Sequence, residues 1–392
     1  MTRWNVYAGT FTKEFAEEIQ RLRTSGTDWW RGNTKTAGDV PAVDTGAAYW
    51  PAGGKLARGI ERFQFDDETG ALRHLETITG DVRNPQYLAL HPTLPVLYAS
   101  EYARPGRLLT FAIAKDGTLE PRFATDSRGM LAVAVSIHPN GRVAYLAHWG
   151  DGTLSACWLD GDGSPAEIEA IVRAPQREPD RAHHHDVRVT PSGNGVLVTD
   201  VGGDDLTVYK TDANGALNTA TTVRIAFPPG SGPRHIEFHP SGRHVYVVGE
   251  WDSTLYVLEA ENSLPRKIVH SYPTVPPGYT GKNKTSELCL HPDGRTLFVG
   301  NRDSDSIAVF SVDDSGQAEA LGHYPSLGRG PASVKVAPAG RHLLVGNVYS
   351  GSLAVFGVDD DRRLWSAGEP IEARAPRYLV FRGDQSEDEA LL

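Results

Sequence analysis

The sequence predicts an all-β chain folded as a single seven-bladed β-propeller. Three observations carry that prediction: a strand–turn–strand unit repeated at nearly constant spacing, an almost complete lack of helical periodicity, and chain ends that complement each other. The unit is plainest at 232–250, GPRHIEFHPSGRHVYVVGE. Pro233–Phe238 reads as a short strand and 244–250 as a longer apolar one, and the HPSGR between them carries the Pro and Gly that turn a chain. In such an antiparallel hairpin the start of the first strand lies beside the end of the second, so Arg234 and Glu250 are expected at one rim.

Taken in order, the same unit appears as PQYLALHPTLPVLYASEY, LAVAVSIHPNGRVAYLAHWG, HHHDVRVTPSGNGVLVTDVG, PRHIEFHPSGRHVYVVGE, SELCLHPDGRTLFVGNR and ASVKVAPAGRHLLVGNV. Their turn prolines, Pro92, Pro139, Pro191, Pro240, Pro292 and Pro338, are 46 to 52 residues apart. That is close to the length of a four-stranded blade, and two further strand-like runs follow each unit, as in SIAVFSVD and AEALGHYP. The seventh hairpin is split between the ends: APRYLVFR is a first strand without a partner, and RWNVYAGT is a second strand without a predecessor. Pairing them closes the ring and removes its open edges.

The one helix candidate is 13–23, KEFAEEIQRLR, where Phe15, Ile19 and Leu22 fall three or four residues apart. It begins an irregular insertion, 12–58, within the single domain of residues 1–392. The insertion is rich in Trp, Gly and basic residues, including Trp29, Trp30, Arg31 and Trp50. Long loops in compact domains are usually functional, and this one leaves the rim that carries Arg234 and Glu250, so it is expected to form a lid. An oligomer contact or a flexible insertion is the plainer alternative.

Composition narrows the function. With 392 residues, 40% hydrophobic and 22% charged, the chain reads as a globular protein that can bury a large core. A net charge of −10 with dispersed basic residues argues against nucleic acid or an anionic membrane as the main partner. The N-terminus MTRWNVYAGT enters a strand pattern directly and no apolar run reaches spanning length, so a cytoplasmic protein is expected. Cys157 and Cys289 are expected as buried thiols. Homo-oligomerisation is left open.

Applied to every unit, the hairpin argument collects polar groups at one rim. First strands supply Asn84, Leu131, His183 with His185, Arg234, Glu287 and Ala332. Second strands supply Glu101, His148, Asp200, Glu250, Arg302 and Asn347. The opposite ends hold HP, NG, SG and DG turns, which is ordinary turn chemistry. Function therefore belongs to the first rim. Two arginines converging there imply an anionic small-molecule substrate, because guanidinium forks bind carboxylate or phosphate directionally. Each candidate also has a structural reading: Arg234 with Glu250 as an ion pair, His185 bonded to Asp200, Arg302 anchoring its loop, and Glu101, Asp200 and Glu287 as turn or rim carboxylates. Of the three consecutive histidines only His183 and His185 share a face, so no metal and no cofactor is expected. His148 and Trp149 are expected as substrate walls.

The stretches GPRHIEFHPSGRHVYVVGE, HHHDVRVTPSGNGVLVTDVGGDDLTVY and SELCLHPDGRTLFVGNRDSDSIAVF, with the N-terminal VYAGT, resemble the propeller lactonase family. That family includes propeller-type 6-phosphogluconolactonase and carboxy-cis,cis-muconate lactonizing enzyme. The resemblance covers nearly the whole chain from Gly59 onward. It implies catalytic groups at the second His of HxH, the Arg of GPRH, the Glu closing the next strand and the Arg of the later NR, here His185, Arg234, Glu250 and Arg302. His183, His148, Trp149, Asp200, Glu101 and Glu287 are the accompanying substrate-binding candidates. The chain departs from the family pattern at Ala332 and Ser333, where Pro-Arg is usual, at His148-Trp149, where Asn-Tyr is common, and in the 12–58 insertion. The implied activity is hydrolysis of an anionic lactone, with Glu250 or His185 as general base and Arg234 or Arg302 on the oxyanion. Cyclisation of a muconate-like acid is the alternative enzyme, and a non-catalytic binding platform the alternative of another class.

Overall fold

A computed structural model describes residues 3–11, 59–173 and 182–383, and shows seven antiparallel sheets arranged as the blades of a propeller, six of four strands and one of five, whose outermost position is shared by Leu364–Ser366 and Ile371–Glu372. Among the described residues there is no helix, so none that could cross a membrane. The 12–58 insertion, its helix candidate and the expected lid lie outside the described residues. We number the blades by their inner strands: Pro85–Leu90, Ala132–Ile137, His184–Val189, Pro233–Phe238, Thr285–Leu290 and Pro331–Val336 for blades one to six. Blade seven is built from both chain ends, in the order Pro376–Gly383, Arg3–Thr10, Ile60–Asp66 and Leu72–Ile78. Its closure runs in register from Trp4 opposite Gly383 to Gly9 opposite Tyr378.

Burial follows position within a blade. Second strands such as Val96–Glu101, Val143–His148 and His244–Gly249 are buried along their whole length, because a neighbouring blade covers each face. Their sequences accordingly read as continuous apolar runs rather than alternating ones. The outer strand Leu119–Asp126 is mostly exposed after Leu119 and is correspondingly polar. Cys157 and Cys289 are buried free thiols, and burial pushes the Cys157 thiol up to about 11.

The far ends of the hairpins do more than turn the chain. In four blades the histidine before the turn proline reaches a turn glycine of the next blade: His91 Nε2 to Gly141 O at 3.0 Å, and His138 to Gly193, His239 to Gly294 and His291 to Gly340 at 2.9 Å. Gly141 and Gly193 have φ of +74° and +72°, and a Cβ at either would stand 2.6 or 2.8 Å from the histidine ring it receives. Glycine is thus required there twice over, by backbone conformation and by close approach. Tyr7 and Tyr98 make similar bridges from second strands, to Gly117 O at 2.6 Å and Gly163 O at 2.7 Å. This rim is pinned blade to blade.

Candidate active site at the opposite rim

Every inner strand begins with the same irregularity. Its pairing with the second strand slips between His184 and Val187 in blade three, between Pro233 and His235 in blade four and between Pro331 and Ser333 in blade six; the other four blades repeat the slip. A β-bulge leaves a residue out of the ladder and re-aims its side chain. The residue after the first of each inner strand is the one so released: Gln86, Val133, His185, Arg234, Ser286, Ala332 and Arg377.

Arg234 and Arg302 meet at one carboxylate. Arg234 Nε lies 3.1 Å from Glu250 Oε2, and Arg302 Nη2 bonds Glu250 Oε1, so each carboxylate oxygen serves one guanidinium. The two arginine side chains are 1% exposed and the glutamate 3%. Backbone bonds fix the trio: Arg234 Nη1 donates to Ser286 O at 2.6 Å, Glu250 N to Gly232 O at 2.8 Å and Arg302 N to Lys284 O at 2.9 Å. Burial alone would push the Glu250 carboxyl up, but Arg302 and Arg234, joined by His185 and Lys284, outweigh it and hold it far below the usual carboxylate range.

His185 stands beside this trio in an aromatic surround, its ring centroid 5.3 Å from His235, 5.7 Å from Trp149 and 6.0 Å from Tyr87. Its Nδ1 is buried without a hydrogen-bond partner. Burial, reinforced by the positive charge of Arg234, drives its pKa well below the ordinary histidine value, so the ring is neutral. Trp149 stacks on His183 at 4.8 Å with planes 14° apart, and His183 Nδ1 bonds the Trp149 carbonyl at 2.8 Å. The His183–Trp149 pair forms a flat wall next to His185.

The remaining sequence-predicted residues are engaged elsewhere. Glu101 accepts from Arg83 N and binds Arg107, which also holds Asp81. His148 is buried between Ser127 Oγ at 2.8 Å and Thr153 O at 2.9 Å. Asp200 does not bond His185; its Oδ1 receives the amides of His183, Gly202 and Gly203. Glu287 lies one residue deeper along its strand than the bulge position. There Ser333 Oγ and Val334 N donate to Oε2, Lys335 Nζ stands 3.6 Å from Oε1, and burial raises the carboxyl's pKa despite that lysine. Below the rim the axis is thus filled by a polar layer that includes His235, bonded to the Tyr87 hydroxyl, and Asp186, bonded to Ile236 N and to Arg188 Nε at 3.1 Å. Among the described residues no group of three or more His, Cys, Asp or Glu is arranged to hold a metal.

Arg377 was not among the residues singled out from the sequence. It occupies the bulge position of blade seven, with Nε 3.3 Å from Gln86 Oε1 and its guanidinium 4.4 Å above the Phe11 ring. The signal was present: APRYLVFR carries Pro-Arg where GPRHIEF does.

Known proteins share this architecture and its sequence. The family described as "Lactonase, 7-bladed beta-propeller" matches residues 51–381. The chain belongs to that lactonase family. Among its relatives in sequence, the 6-phosphogluconolactonase of Bacillus subtilis is 29% identical over 264 residues, covering 65% of this chain and 74% of the relative. The 6-phosphogluconolactonase of Formosa agariphila is 27% identical over 301 residues, covering 72% and 83%. Among solved structures, the periplasmic gluconolactonase of Pseudomonas aeruginosa superposes with a TM-score of 0.78 at 24% identity, covering 97% of this chain and 99% of that one, and shares its fold. Membership of the lactonase family supports lactone hydrolysis as the reaction class of this lactonase.

Proposed function

We propose that this lactonase hydrolyses a small anionic sugar lactone, with His185 as general base and Arg234 and Arg302 as the cationic surface for the developing oxyanion. The observation that carries the reading is the juxtaposition of two buried guanidiniums, tied by one carboxylate, with a neutral imidazole whose Nδ1 has no partner. Glu250 is the poorer base of the two. Both its oxygens already serve arginines, and a carboxylate held so far below its usual range has little tendency to take a proton. Its part is to orient the guanidiniums.

In the reaction, water adds to the lactone carbonyl while His185 Nδ1 takes one of its protons. The carbonyl electrons move to oxygen, where Arg234 and Arg302 stabilise the charge in surroundings largely free of solvent. Collapse breaks the ring C–O bond. The departing ring oxygen receives the proton from the imidazolium, and the product is the open hydroxy acid. While it lasts, the imidazolium is favoured by the charge of Glu250.

Purified protein assayed against phosphorylated, carboxylated and uncharged sugar lactones and against muconolactones tests the reading. Turnover of sugar lactones, reduced a hundredfold or more in His185→Gln, is expected. If the wild type is no faster than an Arg234→Ala, Glu250→Ala double variant, hydrolysis at this site is ruled out. Lactone formation from a muconate-type acid by the wild type would move the assignment to cyclisation.

A further inference from the structure

The Pro-Arg of blade seven places a third guanidinium at the rim, opposite that of Arg234. Blade seven is three blades from blade three in one direction and three from blade four in the other, so Arg377 faces His185 and Arg234 across the propeller axis. The space between is narrow. Tyr378 stacks on Tyr87 at 4.5 Å, and Tyr87 in turn lies 6.0 Å from His185. The positive charge of Arg377 is felt at His185 itself, where it opposes protonation.

Arg377 is built in rather than draped on the surface. Its side chain is buried, Gln86 Oε1 accepts from Nε, and the Phe11 ring supports the guanidinium. A guanidinium held on an aromatic face keeps its orientation and loses little freedom when a ligand binds. The main charges felt at His185 are three cations, Arg234, Arg377 and Arg302, against one anion, Glu250, on a chain whose net charge is −10. A local field of this sign favours an anion there despite the negative net charge.

We propose that Arg377 is the specificity-determining residue for a negatively charged substituent on the lactone, held at the side of the axis opposite the reacting carbonyl. This rests on the assignment of hydrolysis to His185, Arg234 and Arg302. A hexonolactone phosphorylated on its exocyclic carbon carries such a substituent: its phosphomethyl arm leaves the ring from the carbon on the other side of the ring oxygen from the carbonyl carbon and extends away from the carbonyl. A carboxylate there presents the same chemistry, an anion accepting two parallel N–H bonds.

The test compares the wild type with Arg377→Gln and Arg377→Lys on three lactones, bearing a phosphate, a carboxylate or no charge. The expected result in Arg377→Gln is a tenfold to hundredfold fall in the ratio of kcat/KM for the charged to the uncharged lactone, carried by KM. Arg377→Lys restores part of it, and the charged lactone whose ratio moves more names the natural substituent. A ratio within twofold of wild type, or a wild type without preference for either anion, overturns the inference. Calorimetry with 6-phosphogluconate and gluconate reads the same site without turnover. If the wild type hydrolyses nothing yet binds the phosphorylated acid more tightly, and Arg377→Gln erases that difference, hydrolysis falls and the anion site stands. Equal binding of the two acids by the wild type removes the anion site as well. Circular dichroism and melting curves confirm that each variant is folded.

Discussion

Replacing Glu250 by glutamine separates the role assigned to it from that of a general base. The change keeps the shape and removes the one negative charge between two guanidiniums that are 1% exposed. An amide can satisfy one arginine through its oxygen, but its NH2 faces the other, which loses its carboxylate oxygen while buried. Breaking a buried pair in this way costs about 3–5 kcal/mol. The sign with pH follows from the depressed carboxyl. Its stabilisation is fully present above the unfolded-state value near 4.5 and is lost as pH falls through the lower folded-state value, so the gap between wild type and Glu250→Gln is constant from pH 8 to 5 and narrows in more acid solution. Urea denaturation at several pH values measures the gap, and steady-state kinetics supplies the second readout. With His185 as base, the variant keeps an acid limb, displaced to lower pH because the Glu250 charge no longer favours the imidazolium, while KM rises. A stability gap under 1 kcal/mol, or an acid limb abolished by the substitution, would refute the reasoning.

The neutral, pKa-depressed His185 implies that kcat/KM stays high below pH 6.5 and falls only as pH drops through the lower folded-state value; an acid limb centred at or above 6.5 contradicts this. His148, His184 and His235 are likewise buried with lowered values, so the unfolded chain takes up protons that the folded one refuses. Stability then drops below pH 6.5 by up to about 1.4 kcal/mol per pH unit for each histidine that stays neutral, and a stability flat from pH 7 to 5 would be inconsistent with it. At the opposite rim, Gly141→Ala is expected to cost roughly 1–3 kcal/mol, through its positive φ and the approach to the His91 ring, whereas Gly161→Ala, with nothing within 4 Å of the added methyl, changes stability by no more than about 0.5 kcal/mol; thermal denaturation of the pair compares them.

The fold was legible because its signals are local and repeated. Apolar second strands, Pro and Gly at fixed offsets and an unpaired strand at each end are sequence facts, and they sufficed for blade number and closure. Register was less legible. Counting from the apparent start of each strand placed Glu287 beside Arg234, but the blade-five strand begins at Thr285, and Ser286 is the residue that corresponds to Arg234. The same count skipped Arg377, since APRYLVFR was read for its pairing and not for its register. The polar partners of Glu101 and Asp200 come from turns of their own blades. The histidines of the HP turns act across blades, on glycines 49 to 55 residues away, and no local pattern reveals such a partner.

The two rims therefore divide the work. At one, histidine-to-glycine and tyrosine-to-glycine bonds join neighbouring blades and fix the ring. At the other, every inner strand gives up regular pairing for one bulge, and the ladder bonds forgone there release seven side chains toward the axis. The side chains at those positions differ from blade to blade: valine, alanine, serine and glutamine in four blades, and the ionisable His185, Arg234 and Arg377 in three. On the function proposed above, a substrate reaching across the axis would read the ring as a pattern rather than meet a single residue. On that argument, exchanging the side chain at Val133, Ala332 or Arg377 changes which lactone is accepted more readily than it changes whether the propeller folds, whereas Arg234, tied to Glu250, bears on both.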